Sequence, residues 1–185
     1  MLERAERTGE AVALLGASYS FVHVLDEFER IGRRFSLPAG SRILDTGGFK
    51  NQSRELAADD FYERLQIYFG VCRSDCINMY GMTELSTQFY DSGNAVVPSL
   101  KTGPHWIRTR VVDPLTGKRV IGEAGLLVHC DLANMNSVTT ILTEDIGIEE
   151  EGGFRLLRRA KGTEARGCSL AMEELLQATK ESHHD

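Results

Sequence analysis

Cys76-Ile77-Asn78-Met79-Tyr80-Gly81-Met82-Thr83-Glu84 is the stretch whose reading decides the fold. Its first five residues read as a short buried strand, and Gly81 ends them where the backbone must turn sharply. Working upstream, Arg42-Ile43-Leu44-Asp45-Thr46 is a second strand of the same kind, ended by Gly47-Gly48. Ala11-Val12-Ala13-Leu14-Leu15 is a third, ended by Gly16-Ala17-Ser18. Between the strands lie two amphipathic stretches. Phe21, Val24, Leu25, Phe28, Ile31 and Phe35 recur at helical spacing up to the breaker Leu37-Pro38-Ala39-Gly40. Phe61, Leu65, Tyr68 and Phe69 form a second helical stripe. Alternation of strand and helix predicts a parallel sheet with right-handed crossovers. In such sheets ligands bind at the carboxyl ends of the strands. The loops there are Gly16–Ser18, Thr46–Lys50 and Gly81–Glu84, two of them rich in glycine and hydroxyl side chains.

The chemistry of Tyr80-Gly81-Met82-Thr83-Glu84 suits a nucleotide. The Thr83 hydroxyl and nearby amides can hold a phosphate oxygen, and the Glu84 carboxylate can hold Mg²⁺ alongside substrate phosphates. The Tyr80 ring offers a face for a base. An ordinary strand-to-helix turn capped by threonine fits the same residues.

Beyond residue 95 the texture changes. Trp106–Val112 alternates as a half-buried strand does, and Asp113-Pro114-Leu115-Thr116-Gly117 is a turn. Gly125–Val128 and Phe154–Leu157 are further strands, with Glu151-Gly152-Gly153 a turn before the second. From Lys161 the chain becomes helical, with Met172, Leu175 and Leu176 on one side. The expected organisation is an incomplete α/β nucleotide-binding unit over residues 1–95 and a β-rich unit over 96–160. A hinge and tail carrying Cys168 follow over 161–185. The fold class is α/β: a partial parallel open sheet with flanking helices, a small antiparallel β unit and a helical C-terminal tail.

Composition narrows the function. The chain has 185 residues, 42% of them hydrophobic and 26% charged, which is ordinary for a globular protein. Lys and Arg total 21 against 27 Asp and Glu, a net charge of -6. Without a basic excess, nucleic acid and anionic membrane are not expected partners. No apolar run approaches the ~18–20 residues that span a bilayer. Met1–Arg7 does not read as a secretory leader. Four cysteines, at 72, 76, 130 and 168, are too few for a disulfide scaffold, so a cytoplasmic setting is expected. Cys72 and Cys76 have no second close pair with which to build a zinc site. No Gly-x-Gly-x-x-Gly follows a strand, which disfavours a dinucleotide dehydrogenase.

The strand with Tyr80-Gly81-Met82-Thr83-Glu84 resembles the corresponding motif of the adenylate-forming superfamily, which includes acyl-CoA synthetases, peptide synthetase adenylation domains and luciferases. Other segments agree, in that superfamily's order. Thr46-Gly47-Gly48 resembles the Gly-rich loop forming the other wall of the adenine pocket. Gly122-Glu123-Ala124-Gly125-Leu126-Leu127 resembles its Gly-Glu-x-Gly-x-Leu entry to a strand. Thr143-Glu144-Asp145 resembles its Thr-Gly-Asp motif, whose aspartate grips the ribose hydroxyls. Arg159 resembles the arginine just before the hinge. Within the superfamily the chain most resembles acyl-protein synthetases of the bioluminescence type (LuxE-like). Asp131-Leu132-Ala133-Asn134, Ile141–Asp145 and Arg159–Leu170 carry that likeness.

The resemblance implies activation of a long-chain fatty acid by ATP and Mg²⁺ as an acyl-adenylate. The acyl group then moves to a cysteine near the C-terminus and on to a partner acyl reductase. Thr83 and Glu84 would serve phosphate and metal, and Gly47, Gly48, Tyr80, Gly81, Asp145 and Arg159 the nucleotide. Cys168 is the matching acyl acceptor. Ser169 would cap a helix beyond it, and Arg166 lies nearby, both of which favour a thiolate. A homo-oligomer is a further partnership left open by the sequence. The superfamily's upstream phosphate loop and its C-terminal lid with a catalytic lysine have no counterpart here. The chain thus matches the C-terminal half of such an enzyme. An acyl-CoA ligase relative, or a non-catalytic interaction module of the same ancestry, are the alternatives.

Overall fold

The structure, a computed structural model, describes residues 1–47 and 56–159. A short helix, α1 (Leu2–Thr8), precedes strand β1 (Ala13–Ala17). Then follow α2 (Ser18–Ile31), β2 (Arg42–Thr46), α3 (Ala58–Phe69), β3 (Cys76–Tyr80) and β4 (Phe89–Tyr90). β1, β2 and β3 lie side by side in parallel, and β4 returns antiparallel to β3.

This sheet order has a direct consequence. Two right-handed crossovers between strands taken in sequence place α2 and α3 on the same face of the sheet. Phe21, Val22 and Leu25 of α2 and Phe61, Leu65 and Phe69 of α3 bury there against Leu14, Ile43 and Cys76 of the strands. Phe21 meets Phe69 edge to face, with ring centroids 6.4 Å apart. Each such side chain contributes roughly 1.5–3 kcal/mol on burial. Asp59 and Asp60 in the first turn of α3 complement its dipole.

Two expectations shift at their edges. The first strand runs Ala13–Ala17 rather than 11–15. The α2 helix stops at Ile31, before Phe35, because Gly32 takes a left-handed conformation (φ 65°) and turns the chain. Phe35 still packs on Phe28, with centroids 5.2 Å apart, but from the following loop. The loop after β3 leads into β4, not into a helix, so Thr83 caps no helix.

The second half forms a six-stranded antiparallel sheet. Its strands are β5 (Leu100–Lys101), β6 (Ile107–Val112), β7 (Arg119–Val120), β8 (Ala124–Asp131), β9 (Thr140–Glu150) and β10 (Gly153–Arg159). Their order is β5-β10-β9-β8-β6-β7. Its inner face buries Ile107, Val111, Leu127 and Phe154 against Tyr80 and Phe89 of the first sheet. A bridge between Tyr90 and Thr102 ties the two sheets together. The expected helical tail lies outside the described residues, as do Gly48, Lys50 and Cys168.

Candidate active site at the end of the third strand

β3 delivers side chains to two buried polar clusters. The first forms around Asn78. Asp45 pairs with Asn78 in the parallel register and is 1% exposed. Its carboxylate accepts hydrogen bonds from Ser18 Oγ (2.7 Å), Asn78 Nδ2 (2.8 Å) and Tyr62 Oη (3.1 Å). Burial holds its pKa above the usual carboxylate range, and these three donors work against that shift. On the other side of Asn78 stands Lys101 from β5. Its Nζ donates to Asn78 Oδ1 (2.6 Å), to the Asn78 carbonyl (2.9 Å) and to Asp91 Oδ2 (2.7 Å). Burial lowers the Lys101 pKa, and the Asp91 carboxylate opposes that. Ser99 Oγ and Asn94 Nδ2 also donate to Asp91 Oδ2. This chain of bonds runs directly beneath Thr46-Gly47 and Met79-Tyr80 and clamps the second sheet to the first.

The second cluster forms around Tyr80. Its ring is 8% exposed and packs on Phe89, His129 and Phe154, with centroids 5.9, 5.6 and 5.5 Å away. The Tyr80 hydroxyl donates to Asp145 Oδ2 at 2.8 Å. His129 Nε2 stands 3.2 Å from the same hydroxyl, and His129 Nδ1 2.9 Å from Thr109 Oγ1. A carboxylate can only accept, so Tyr80 gives its single proton to Asp145. The network then assigns His129 the tautomer with hydrogen on Nε2, donating to Tyr80, with Thr109 donating to Nδ1. Burial pushes the His129 pKa down to about 4, against a weaker opposing pull from Asp131. The imidazole is therefore neutral at pH 7.

Local backbone irregularity aims Asp145. Leu126 pairs with Ile146 and Val128 with Leu142, so Leu127 alone faces Thr143, Glu144 and Asp145. Thr143 Oγ1 donates to the Leu127 carbonyl (2.9 Å) and accepts from the Asp145 amide (3.1 Å), which replaces the missing ladder bonds. On the other side of β9 the register slips between Leu156 and Arg158, after which Arg159 lies directly opposite Asp145. Irregularities of this type re-aim side chains beside binding sites.

The loop carrying Thr83 and Glu84 is exposed at its side chains and anchored through its backbone. Asn134 Nδ2 donates to the Glu84 carbonyl (2.6 Å) and to that of Val138 (3.1 Å). Ser86 Oγ donates to Asn134 Oδ1 (2.6 Å). Asp131 accepts from the Thr87 amide and hydroxyl at 2.9 and 2.8 Å, and Trp106 Nε1 donates to Thr87 Oγ1 at 3.0 Å. The Glu84 carboxylate itself meets Thr83 Oγ1 (3.1 Å) and otherwise faces outward, which suits a cation with oxygen ligands. Across the strand end, Gly47 is exposed with φ 86°, a conformation that favours glycine. Thr46 Oγ1 donates to the Met79 carbonyl at 3.2 Å, fixing this loop beside Gly81. An open groove of about 520 Å³ is lined by Thr87, Gln88, Tyr90, Gly103 and Trp106.

Tyr80, Asp145 and the backbone of Arg159 thus come together, with Gly47, Gly81, Thr83 and Glu84 around the same strand ends. The residues from 1 to 177 match the family model described as acyl-protein synthetase, LuxE. The chain belongs to this LuxE family. It is 30% identical over 189 residues to a long-chain-fatty-acid–luciferin-component ligase of Vibrio harveyi. That match covers 96% of this chain and 48% of the relative, so the chain spans about half the length of the curated relative. Among solved structures it resembles the adenylation domain of a keto acid-selecting peptide synthetase module bound to keto acyl adenylate. The TM-score there is 0.60 at 15% identity, over 88% of this chain and 37% of that one. ATP-bound MatB from Rhodopseudomonas palustris has TM-score 0.56 at 18% identity, over 85% of this chain and 32% of that one. The LuxE chain accordingly has the adenylate-forming fold.

His129, Thr109, Lys101 and Asp91 were not singled out as site-supporting residues by the sequence. A signal for His129 exists. In β8, Leu127, His129 and Asp131 alternate onto one face, and a histidine and an aspartate on an inner face announce a polar cluster. Lys101 carries no such signal, because a two-residue strand has no readable period.

Proposed function

We propose that this LuxE chain contributes the adenosine- and metal-binding half of an enzyme that joins a long-chain fatty acid to a protein thiol. What supports this reading is the Tyr80–Asp145 pair with Arg159 opposite, beside an outward-facing Glu84. Gly47, Gly48 and the end of β3 at Tyr80–Gly81 bound the adenine, and Asp145 accepts from the ribose hydroxyls. Arg159 meets the nucleotide near the hinge. Thr83 donates to a phosphate oxygen. Glu84 holds Mg²⁺, which offsets charge on the phosphates when bound.

In the first step a fatty-acid carboxylate oxygen attacks the α-phosphorus of ATP. The bond to the bridging oxygen breaks and pyrophosphate leaves. In the second, the Cys168 thiolate attacks the acyl carbonyl carbon, and AMP departs with the electrons of the broken C–O bond. The thioester is a substrate for an acyl reductase. Residues 1–95 and 96–160 act as the two units of the nucleotide site, and 161–185 as the carrier.

The test is labelling with a radioactive long-chain fatty acid, ATP and Mg²⁺. With the chain spliced in place of the matching half of the Vibrio harveyi ligase, protein-bound label is expected and is lost in Cys168→Ser, with pyrophosphate release retained. Label that persists in Cys168→Ser, or that appears only on added coenzyme A, contradicts the proposed acceptor.

A further inference from the structure

Asp131-Leu132-Ala133-Asn134 is one of the segments that carry the likeness to acyl-protein synthetases, and no step of the proposed reaction uses it. It stands where β8 ends and the chain turns toward β9, against the loop that carries Thr83 and Glu84. The turn is first bonded to itself. The Asp131 amide donates to the Thr139 carbonyl (2.7 Å), and the Asn134 amide to the Asp131 carbonyl (3.2 Å). The Ala133 amide donates to Asp131 Oδ1 (3.0 Å). Asp131 and Asn134 are buried, at 0% and 6% exposed.

Both side chains reach back to a segment 44 and 50 residues earlier. The peptide group that joins Glu84 to Leu85 is held at both ends. Its carbonyl accepts from Asn134 Nδ2 at 2.6 Å, and its N–H donates to the Met82 carbonyl at 3.1 Å. The Asn134 amide has one workable orientation. Its Nδ2 also donates to the Val138 carbonyl (3.1 Å), and its Oδ1 accepts from Ser86 Oγ (2.6 Å). A flipped amide would set Oδ1 against two carbonyl oxygens. Asp131 takes hold farther along, accepting the Thr87 amide on one oxygen and the Thr87 hydroxyl on the other. Glu84, Ser86 and Thr87 thus share one buried polar frame, while the Glu84 side chain stays exposed.

Met82 and Leu85 already attach this loop to the second core by apolar contact. The polar frame adds orientation, because a fully satisfied buried network fixes one geometry. A carboxylate that takes up a metal needs that: the groups behind a ligand hold its direction. We propose that Asn134 is a positioning residue for Glu84. It fixes the backbone from which that carboxylate meets a phosphate-bound divalent cation, and Asp131 holds the turn that presents Asn134. The proposal rests on the reading of Glu84 as the metal ligand.

Calorimetric titration of the full chain with ATP, with and without Mg²⁺, measures how far the metal tightens binding. That ratio separates Glu84 from the rest of the nucleotide site. In Asn134→Ala the ratio is expected to fall about tenfold, with affinity in the absence of Mg²⁺ unchanged. In Glu84→Ala the metal is expected to tighten binding no longer. Met135→Ala, at an 85% exposed position of the same turn, leaves the ratio as it is in the native chain. Urea unfolding establishes that each variant is folded. If Asn134→Ala does not fold, Ser86→Ala is read instead. It keeps Asn134 and removes the donor to its Oδ1, and a smaller fall in the ratio is expected. An unchanged ratio in the folded variant overturns the proposal. So does an equal loss with and without Mg²⁺, which marks general damage to the site. A native chain that does not bind ATP, or binds it no tighter with Mg²⁺, overturns the reading of Glu84 itself and this role with it.

Discussion

The two polar clusters at Asn78 and Tyr80 of β3 are built from similar parts and do different work. Asn78 and Tyr80, two residues apart on one strand, each bond to a buried aspartate. Around Asn78 the cluster is charged and closed: Lys101, Asp91 and Asp45 are each nearly fully buried and bonded on several sides. Around Tyr80 the hydroxyl donates to Asp145, a neutral His129 stands against that hydroxyl, and Thr109 donates to His129. The difference teaches that a closed ionic network locks two sheets together, whereas a tyrosine hydroxyl backed by a neutral histidine orients one carboxylate oxygen. The first cluster is a clamp between sheets, and the second is a mount for Asp145.

The largest effect expected from breaking this contrast is at the clamp. Lys101→Met strips the buried Asp91 of its cation and should cost about 3–5 kcal/mol in urea unfolding. If the loss stays under about 1 kcal/mol, the cluster is not the closed ionic clamp described.

The mount responds instead to pH. His129 has a folded pKa of about 4 against 6.5 unfolded. Between those values the unfolded chain binds the proton more readily, so stability falls as pH drops from 6.5 toward 4. The total is about 3 kcal/mol from this group. Asp45, with its raised pKa, acts in the opposite direction. Urea unfolding of His129→Gln across the same range should therefore show a shallower acid decline than the native chain. Parallel curves would mean that His129 does not titrate as its burial requires.

A smaller effect is expected at the hydroxyl. Tyr80→Phe keeps the ring packing and removes one donor to a carboxylate, costing about 2 kcal/mol in the same assay. Smallest is Glu84→Ala. The side chain is exposed, so stability should move by less than about 0.5 kcal/mol in thermal unfolding, while any Mg²⁺-dependent nucleotide affinity falls.

How much of this was legible in the residues follows the same contrast. β2 and β3 were readable to the residue because Gly47 and Gly81 fall just past their last residues, whereas β1 was not, because Gly16 lies inside it. The motif residues Tyr80, Asp145 and Arg159 were legible through resemblance, and their convergence needed the fold. β9, the longest strand, was legible only as a motif, because the irregularity at Thr143–Asp145 blurs its pairing pattern. β4, β5 and β7 were invisible, since two residues show no period. The clamp was invisible with them: Lys101 reaches Asp91 across a loop and Asn78 across sheets, relations that only tertiary structure creates.

The central claim is that the ends of β2 and β3, with Asp145 from the irregular middle of β9, form a nucleotide half-site. Calorimetric titration of the folded 185-residue chain with ATP and Mg²⁺ tests it most directly. Saturable binding that disappears in both Glu84→Ala and Asp145→Ala, with each variant still folded, is the predicted result. No saturable heat from the folded native chain, or equal heat from the variants, would contradict it.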